Sequence, residues 1–277
     1  GILKLSLFLI LFYLVIFLIA EVTAIAFLLN FISKTPLWIT AGITLIICLL
    51  YILRGGFKLS IITDKYQFII IAILIFASMI LILGNLEINS FKLIKNNSPK
   101  LISSKYLPNY TAGLTFFIAV AATNLYHQGN WQRVFAAKNN KVLKKSLWMS
   151  FIIIIPIVFF MGISGIIAVS LDGKVNPDLA FFSILLQDKT EFLSVIIIIL
   201  AVSLTVSTID TLVNAISSLV VVDGKNFYRD TKKKDFLRLS KVFIIILSVI
   251  SLIIASKGFS ILYLFLLADL LCCAAVF

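Results

Sequence analysis

Histidine and cysteine are nearly missing from this chain: one His, His127, and three Cys, Cys48, Cys272 and Cys273, in 277 residues. That scarcity removes whole classes of chemistry. There is no Cys–His cluster and no HExxH, so no metal-ligand spacing of the zinc type. The cysteines lie in apolar runs without the pattern of a disulfide framework, and read as buried structural thiols. His127 has no obvious partner for a nucleophile–base pair, and no nucleophile elbow is present, so the chain does not read as an enzyme. A Walker-type glycine loop is absent, which removes any sign of ATP-driven transport, and so is a selectivity-filter glycine motif. Acids are scarce too: 12 Asp and Glu against 24 Lys and Arg, for a net charge of +12. The bases sit in short loops between apolar runs, not on an amphipathic face, so the charge is no signal for nucleic acid.

What is present is apolar. Hydrophobic residues make up 61% of the chain and the mean hydropathy is +1.14. Soluble domains hold roughly 45–50%. The composition predicts an all-α polytopic membrane protein, with residues 1–277 a single transmembrane domain in a lipid bilayer. Eight spans can be drawn. The first runs from about Leu5 to Ile32 and carries Glu21. After the turn Ser33–Pro36, the second covers Leu37 to Leu53. Arg54-Gly55-Gly56-Phe57-Lys58 reads as a tight turn, since paired glycines permit positive φ. The third span, Leu59 to Leu83, carries Asp64 near its start. A polar loop at 85–108 leads to a short fourth span, Tyr110 to about Leu125. The sequence Tyr126-His127-Gln128-Gly129-Asn130-Trp131 then predicts a broken helix, because irregular backbone at membrane depth is tolerated only beside a cavity or protein. A basic loop, Arg133 to Lys145, precedes the fifth span, Leu147 to Val169, which contains Pro156. Residues 170–190 read as a polar loop with a short helix after Pro177. The sixth span lies within Phe192–Val222, a basic loop occupies Asp223 to Lys241, the seventh span is Val242 to Ala255, and the eighth begins near Ile261.

Bases partition unequally between alternate loops, sixteen on one side and eight on the other. The richer set includes Lys4, Arg54, Lys58, Lys65, Arg133, Lys138 and the bases from Lys225 to Lys241, and the positive-inside rule puts it in the cytoplasm. Asp64 then enters the membrane from the cytoplasmic side. Asp210 lies about thirteen residues, roughly 20 Å, from Asp223, so the two acids can approach each other in the inner half of the bilayer.

The sixth span carries the strongest signal. Asp210 is the one acid between Phe192 and Val222. At helical spacing Ser203, Ser207, Asp210, Asn214 and Ser217 share a face with it. A carboxylate at that depth costs roughly 2.5–3.5 kcal/mol on insertion scales, unless it faces protein, water or a cation. Hydroxyls one turn away supply the oxygen ligands that a hard cation takes. The competing reading has the hydroxyls bonded to their own helix and Asp210 to a neighbouring one. Asp64 is either a cation ligand or gate charge, or an interfacial acid paired with Lys58 or Lys65. His127, Gln128, Asn130 and Trp131 either contact a substrate or gate, or cap the ends of the broken helix. Glu21 and Asp269 are expected to face protein.

Three blocks read together carry a resemblance. Tyr51, Gly55-Gly56, Thr63-Asp64 and Gln67 form a Y…GG…TD..Q pattern; residues 131–139, Trp-Gln-Arg-Val-Phe-Ala-Ala-Lys-Asn, form a QR..AAKN block; and Ser207-Thr208 lies within an apolar span. In this order they resemble the solute:sodium symporter family over essentially the whole chain. The resemblance implies a core of two inverted five-helix repeats. Residues 1–84 would end the first repeat and 109–277 would form the second, with core helices three to ten present. The first two core helices would lie in missing N-terminal sequence, with more helices after the C-terminus. By the same match the carbonyl of Leu204 and the hydroxyls of Ser207 and Thr208 are sodium ligands, and Asp64 belongs to a second sodium site. Asp210 stands where the family often has a hydroxyl, which adds a charge and leaves sodium and proton coupling both open. The stretch Asn124–Arg133 and Leu267-Ala268-Asp269-Leu270-Leu271-Cys272 are similar to the urea-active branch. The implied function is sodium-coupled symport of a small polar solute, urea first, across the plasma membrane, with Na+ as the coupling ion and no organic cofactor. A membrane sensor domain of a signalling kinase, on the same fold, is the alternative.

Overall fold

The computed structural model describes residues 2–85, 89–171, 175–186, 190–224 and 233–276. Among them helix is the only regular structure. The chain is an all-α polytopic membrane protein. Among the described residues five helices are long and apolar enough to cross a bilayer: Leu3–Ser33, Leu37–Gly84, Asn140–Leu171, Glu191–Asp223 and Asp235–Ala255.

In chain order the helices are α1 (Ile2–Ser33), α2 (Leu37–Asn85), α3 (Asn89–Asn97), α4 (Leu107–Thr123), α5 (Gln128–Phe135), α6 (Asn140–Leu171), α7 (Ala180–Leu185), α8 (Glu191–Ser218), α9 (Lys233–Ala255) and α10 (Ile261–Val276). Eight expected spans and five long helices are reconciled by two facts. The second and third spans form one element, α2, whose two arms meet at Gly56 (φ 54°, ψ −149°). The fourth and eighth, α4 and α10, are only 17 and 16 residues long. A side chain at Gly55 is sterically excluded, since a Cβ there would lie 2.3 Å from Cβ of Leu59. The tight turn read from the paired glycines is therefore present, as a bend between two helical arms.

Three loops are more helical than expected. The segment 85–108 contains α3 and a 3-10 turn at Pro99–Ile102. The basic stretch 133–145 is mostly the end of α5 and the start of α6, and α9 begins at Lys233, well before Val242. Strong polarity argues against membrane burial, but it does not prevent a surface helix. The bases from Lys225 to Lys232, along with Lys174 and Lys189, lie outside the described residues, as does the side chain of Cys273. Cys48 and Cys272 are buried free thiols, as expected.

The chain forms two compact units. One comprises residues 1–68, 118–133 and 201–277. Its core is α1, apolar on all sides, against α9, α10 and the later part of α8. Tyr13, Leu14, Leu18 and Val22 meet Ile209, Leu212, Val213 and Ile216 in one apolar cluster. The other unit comprises residues 69–117 and 134–200. There α6 packs against α3 and α7, and Asn97 donates to the carbonyl of Ser170 at 2.8 Å. The outer face of α6 exposes Trp148, Phe151, Ile152, Ile155 and Phe159. A band of that kind suits hydrocarbon and not water.

Two breaks in helical regularity shape the first unit. After α4 the backbone tightens into a 3-10 turn, Asn124–Tyr126, and leaves helical geometry at His127 (φ −76°, ψ 88°) before α5 begins. At its far end α8 widens into a π turn, Leu219–Asp223.

Candidate functional site

The polar residues of the first unit are gathered where the second arm of α2, the short helix α5 and the middle of α8 meet. On α2, Ser60, Thr63, Asp64 and Gln67 follow the i, i+3, i+4, i+7 spacing of a single helix face. On α8 the facing stripe is Ser203, Ser207, Asp210, Thr211 and Asn214. Both stripes are polar in otherwise apolar helices, and they meet through Ser60 and Thr63 on Asp210 and through Ser207 on Asp64.

Asp210 is fully buried, with 0% exposure. Its carboxylate is surrounded by hydroxyls. Ser60 donates to Oδ1 at 2.8 Å and Tyr51 to Oδ2 at 3.0 Å. Thr63 lies 3.2 Å from Oδ2 and Thr211 lies 3.3 Å from Oδ1. The latter two also have shorter backbone acceptors, the carbonyls of Ser60 and Ser207, each at 2.9 Å. Tyr51 comes from the first arm of α2 and Ser60 from the second, so the bend at Gly56 brings donors from both arms onto one carboxylate. A buried carboxylate without donors would be prohibitively costly; charge-assisted bonds of this length offset much of that cost.

Asp64 is engaged differently. Arg133 of α5 holds Oδ2 at 2.6 Å in an ion pair, and Ser207 of α8 donates to Oδ1 at 2.7 Å. The same guanidinium nitrogen donates to Oγ1 of Thr211 at 2.7 Å, and the other terminal nitrogen reaches the carbonyl of Gly129 at 3.3 Å. The partner of Asp64 is thus Arg133, sixty-nine residues away in sequence, and not the neighbouring Lys58 or Lys65. Thr211 joins the two acids, since its hydroxyl lies beside both Arg133 and Asp210.

Of the residues singled out from sequence, Leu204, Ser207, Thr208, Asp64 and Asp210 all fall in this region. Thr208 donates to the carbonyl of Leu204 at 3.2 Å, the helix-bonded arrangement weighed above. The set offers oxygen ligands only, from a carbonyl, hydroxyls and carboxylates, which suits a hard cation such as Na+. No group of three or more His, Cys, Asp and Glu gathers as a metal cluster among the described residues.

The other set surrounds the helix break. His127 is buried, its ring edge-on to Tyr13 and Phe17 of α1 at 5.9 and 6.0 Å between centroids. Its Nδ1 accepts from the backbone N–H of Asn130 at 3.3 Å. The Asn130 side chain donates to Asn124 Oδ1 at 2.9 Å, and the Trp131 indole donates to the carbonyl of Leu125 at 2.9 Å. These bonds tie the end of α4 to the start of α5, as the capping alternative anticipates. Gly129 is where α5 closes on α8: a Cβ there would lie 2.5 Å from Cγ2 of Thr211. Asp269 of α10 is buried, and Glu21 of α1 is partly buried.

The missed residues are Ser60, Thr211 and Arg133 as partners. A signal for the first existed in the 60/63/64/67 spacing. The Asp64–Arg133 contact had none, because nothing local in the sequence ties α2 to α5.

Hydropathy and fold define a multi-pass membrane protein with a carboxylate-rich polar cluster inside it. Comparison adds a distant relative. The chain is 24% identical over 235 residues to the spermidine transporter DUR31 of Candida albicans, which covers 83% of this chain and 43% of the relative. The chain thus spans less than half the length of that transporter. No protein-family model matches the chain, and no solved structure does.

Proposed function

We propose that the chain is part of a secondary transporter, which moves a small polar nitrogen-containing solute across the plasma membrane by alternating access. The observation that supports it best is the cluster itself: two carboxylates, one fully buried, with a helix break beside them, in a chain built for lipid. Intramembrane acids facing protein mark ion and substrate paths, and discontinuous helices mark transporter sites. The similarity to a transporter agrees with this reading.

We further propose that the coupling ion is Na+. The carbonyl of Leu204 and the hydroxyls of Ser207 and Thr208 would hold it, with Asp64 and Asp210 serving a second cation. Bound sodium would favour solute binding, and solute would favour sodium by the same factor. Urea is the first solute to try: His127, Gln128 and Asn130 offer hydrogen bonds for a small planar amide. Spermidine, the solute named for the relative, is the second, because two carboxylates against one guanidinium leave room for an ammonium group.

The test is uptake of radiolabelled urea and spermidine by vesicles bearing the full-length protein, with and without a sodium gradient. Sodium-dependent, saturable uptake of either solute supports the reading. Ser207→Ala with Thr208→Ala should then weaken sodium activation at least tenfold, since one lost ligand to a charged group is worth about 1.5–3 kcal/mol. Unchanged sodium activation in that variant would remove sodium from this site. No uptake of any small solute by folded protein would sink the transporter reading.

A further inference from the structure

We propose that Arg133 is a built-in cation that occupies the Asp64 seat reversibly, so that a monovalent cation arriving from solution displaces it and frees α5 from α2 and α8. The term monovalent cation covers a sodium ion and the ammonium group of a solute, and the naming of those two sources rests on the transporter reading above.

The seat is all acceptor. Arg133 touches a carboxylate oxygen of Asp64, the hydroxyl oxygen of Thr211 and the carbonyl oxygen of Gly129. One further oxygen on the same face of α2 is an acceptor in waiting: Oε1 of Gln67, one turn beyond Asp64. It is buried and has no donor among the described residues. A region with surplus acceptors and one donor-rich side chain is a cation site whose occupant is covalently tethered.

The tether is also releasable. Arg133 meets Asp64 through one terminal nitrogen and one oxygen, not the two-pronged fork that makes such pairs strong. The other oxygen of Asp64 belongs to Ser207. The side chains of Arg133 and Asp64 are 36% and 21% exposed, so the guanidinium has water to enter when it leaves. Asp210, by contrast, has no exposure and no such exchange. Charge favours replacement over simple opening. Departure of Arg133 alone leaves two neighbouring carboxylates uncompensated, whereas exchange for another monovalent cation keeps the balance. Because Arg133 is the side chain that joins α5 to both α2 and α8 through charge, the exchange converts cation arrival into loosening of α5.

The deciding measurement is hydrogen exchange of the backbone over 128–135 in the full-length protein, with sodium chloride, spermidine or choline chloride at matched ionic strength. The proposal expects sodium, spermidine or both to speed exchange in this segment relative to choline. A response to sodium alone identifies the ion as the displacing cation; a response to spermidine alone identifies the solute. Arg133→Gln should exchange fast in every salt and bind radioactive sodium about three- to fivefold more tightly than the parent, the scale of a partly exposed ion pair. Arg133→Lys should keep the salt response, and Asp64→Asn should lose it. Equal exchange in all three salts overturns the proposal, and so does unchanged sodium binding in Arg133→Gln. If that variant does not fold, the parent protein's exchange decides. Uptake without an exchange response refutes the tethered cation alone; an exchange response without uptake refutes transport and leaves the seat standing.

Discussion

Asp210 makes its own demand on the sequence. A carboxylate with no exposure requires donors, and Tyr51 and Ser60 supply the two that have no competing backbone acceptor among the described residues. Tyr51→Phe and Ser60→Ala should each lower stability by about 1.5–3 kcal/mol, the cost of removing a bond to a charged group. Thermal unfolding in detergent measures this. Thr63→Val should cost less, because the Thr63 hydroxyl divides itself between Asp210 and the carbonyl of Ser60. Equal losses at all three positions would contradict this ranking. The importance of Asp210 was legible in the sequence, since a lone acid in an apolar run advertises itself. The identity of its partners was not, because Tyr51 and Ser60 lie about 150 residues away and only the bend at Gly56 brings both to it.

Elements here are joined by closeness of backbone, and glycine sets that closeness. Gly55 and Gly56 are adjacent yet constrained differently. At Gly56 there is open space but a backbone conformation (φ 54°, ψ −149°) that is essentially glycine's alone, so Gly56→Ala should cost about 1–3 kcal/mol of strain. At Gly55 the obstruction is Cβ of Leu59 itself. Gly55→Ala should therefore be the more damaging change, and Leu59→Ala should fail to rescue it. Gly129 offers the opposite case. Its nearest obstacle is Cγ2 of Thr211, so Thr211→Ser removes the obstacle and keeps the hydroxyl for Arg133. The double change Gly129→Ala with Thr211→Ser should recover folded yield relative to Gly129→Ala alone, measured by size-exclusion of detergent-solubilised protein. The turn at 54–58 and the break at 126–131 could be read from the sequence because Gly, His and Asn are conspicuous among apolar residues. The helices α3 and the start of α9 could not, since a polar helix and a polar loop share a composition.

For the whole molecule, the asymmetry of the bases gives a prediction of sidedness. Lys138, Lys141 and Lys144 should react with an impermeant amine reagent only in inside-out vesicles, and Lys34, Lys100 and Lys257 only in right-side-out ones. Reaction of both sets from one side would overturn the orientation. Hydropathy alone was enough for the all-α membrane class, because continuous apolar runs of about 20 residues suit spanning helices, whereas barrel strands alternate apolar and polar positions. It was less able to count crossings. A bend and a break within apolar sequence leave the same hydropathy trace as separate spans.

The π turn that ends α8 at Leu219–Asp223 makes residue number matter more than residue type. Each residue advances an α-helix by about 100° around its axis but only about 1.5 Å along it. The spacing therefore stores an angle: the wide turn sets how Asp223 is placed around the helix relative to the stripe holding Asp210. Losing one of its three valines, Val220–Val222, would barely shorten the span, yet it would rotate Asp223 by roughly a quarter of a revolution relative to that stripe. Exchanging the same valine for isoleucine would leave the angle intact. A deletion series through this turn, set against substitutions at the same positions, would read the two kinds of information apart.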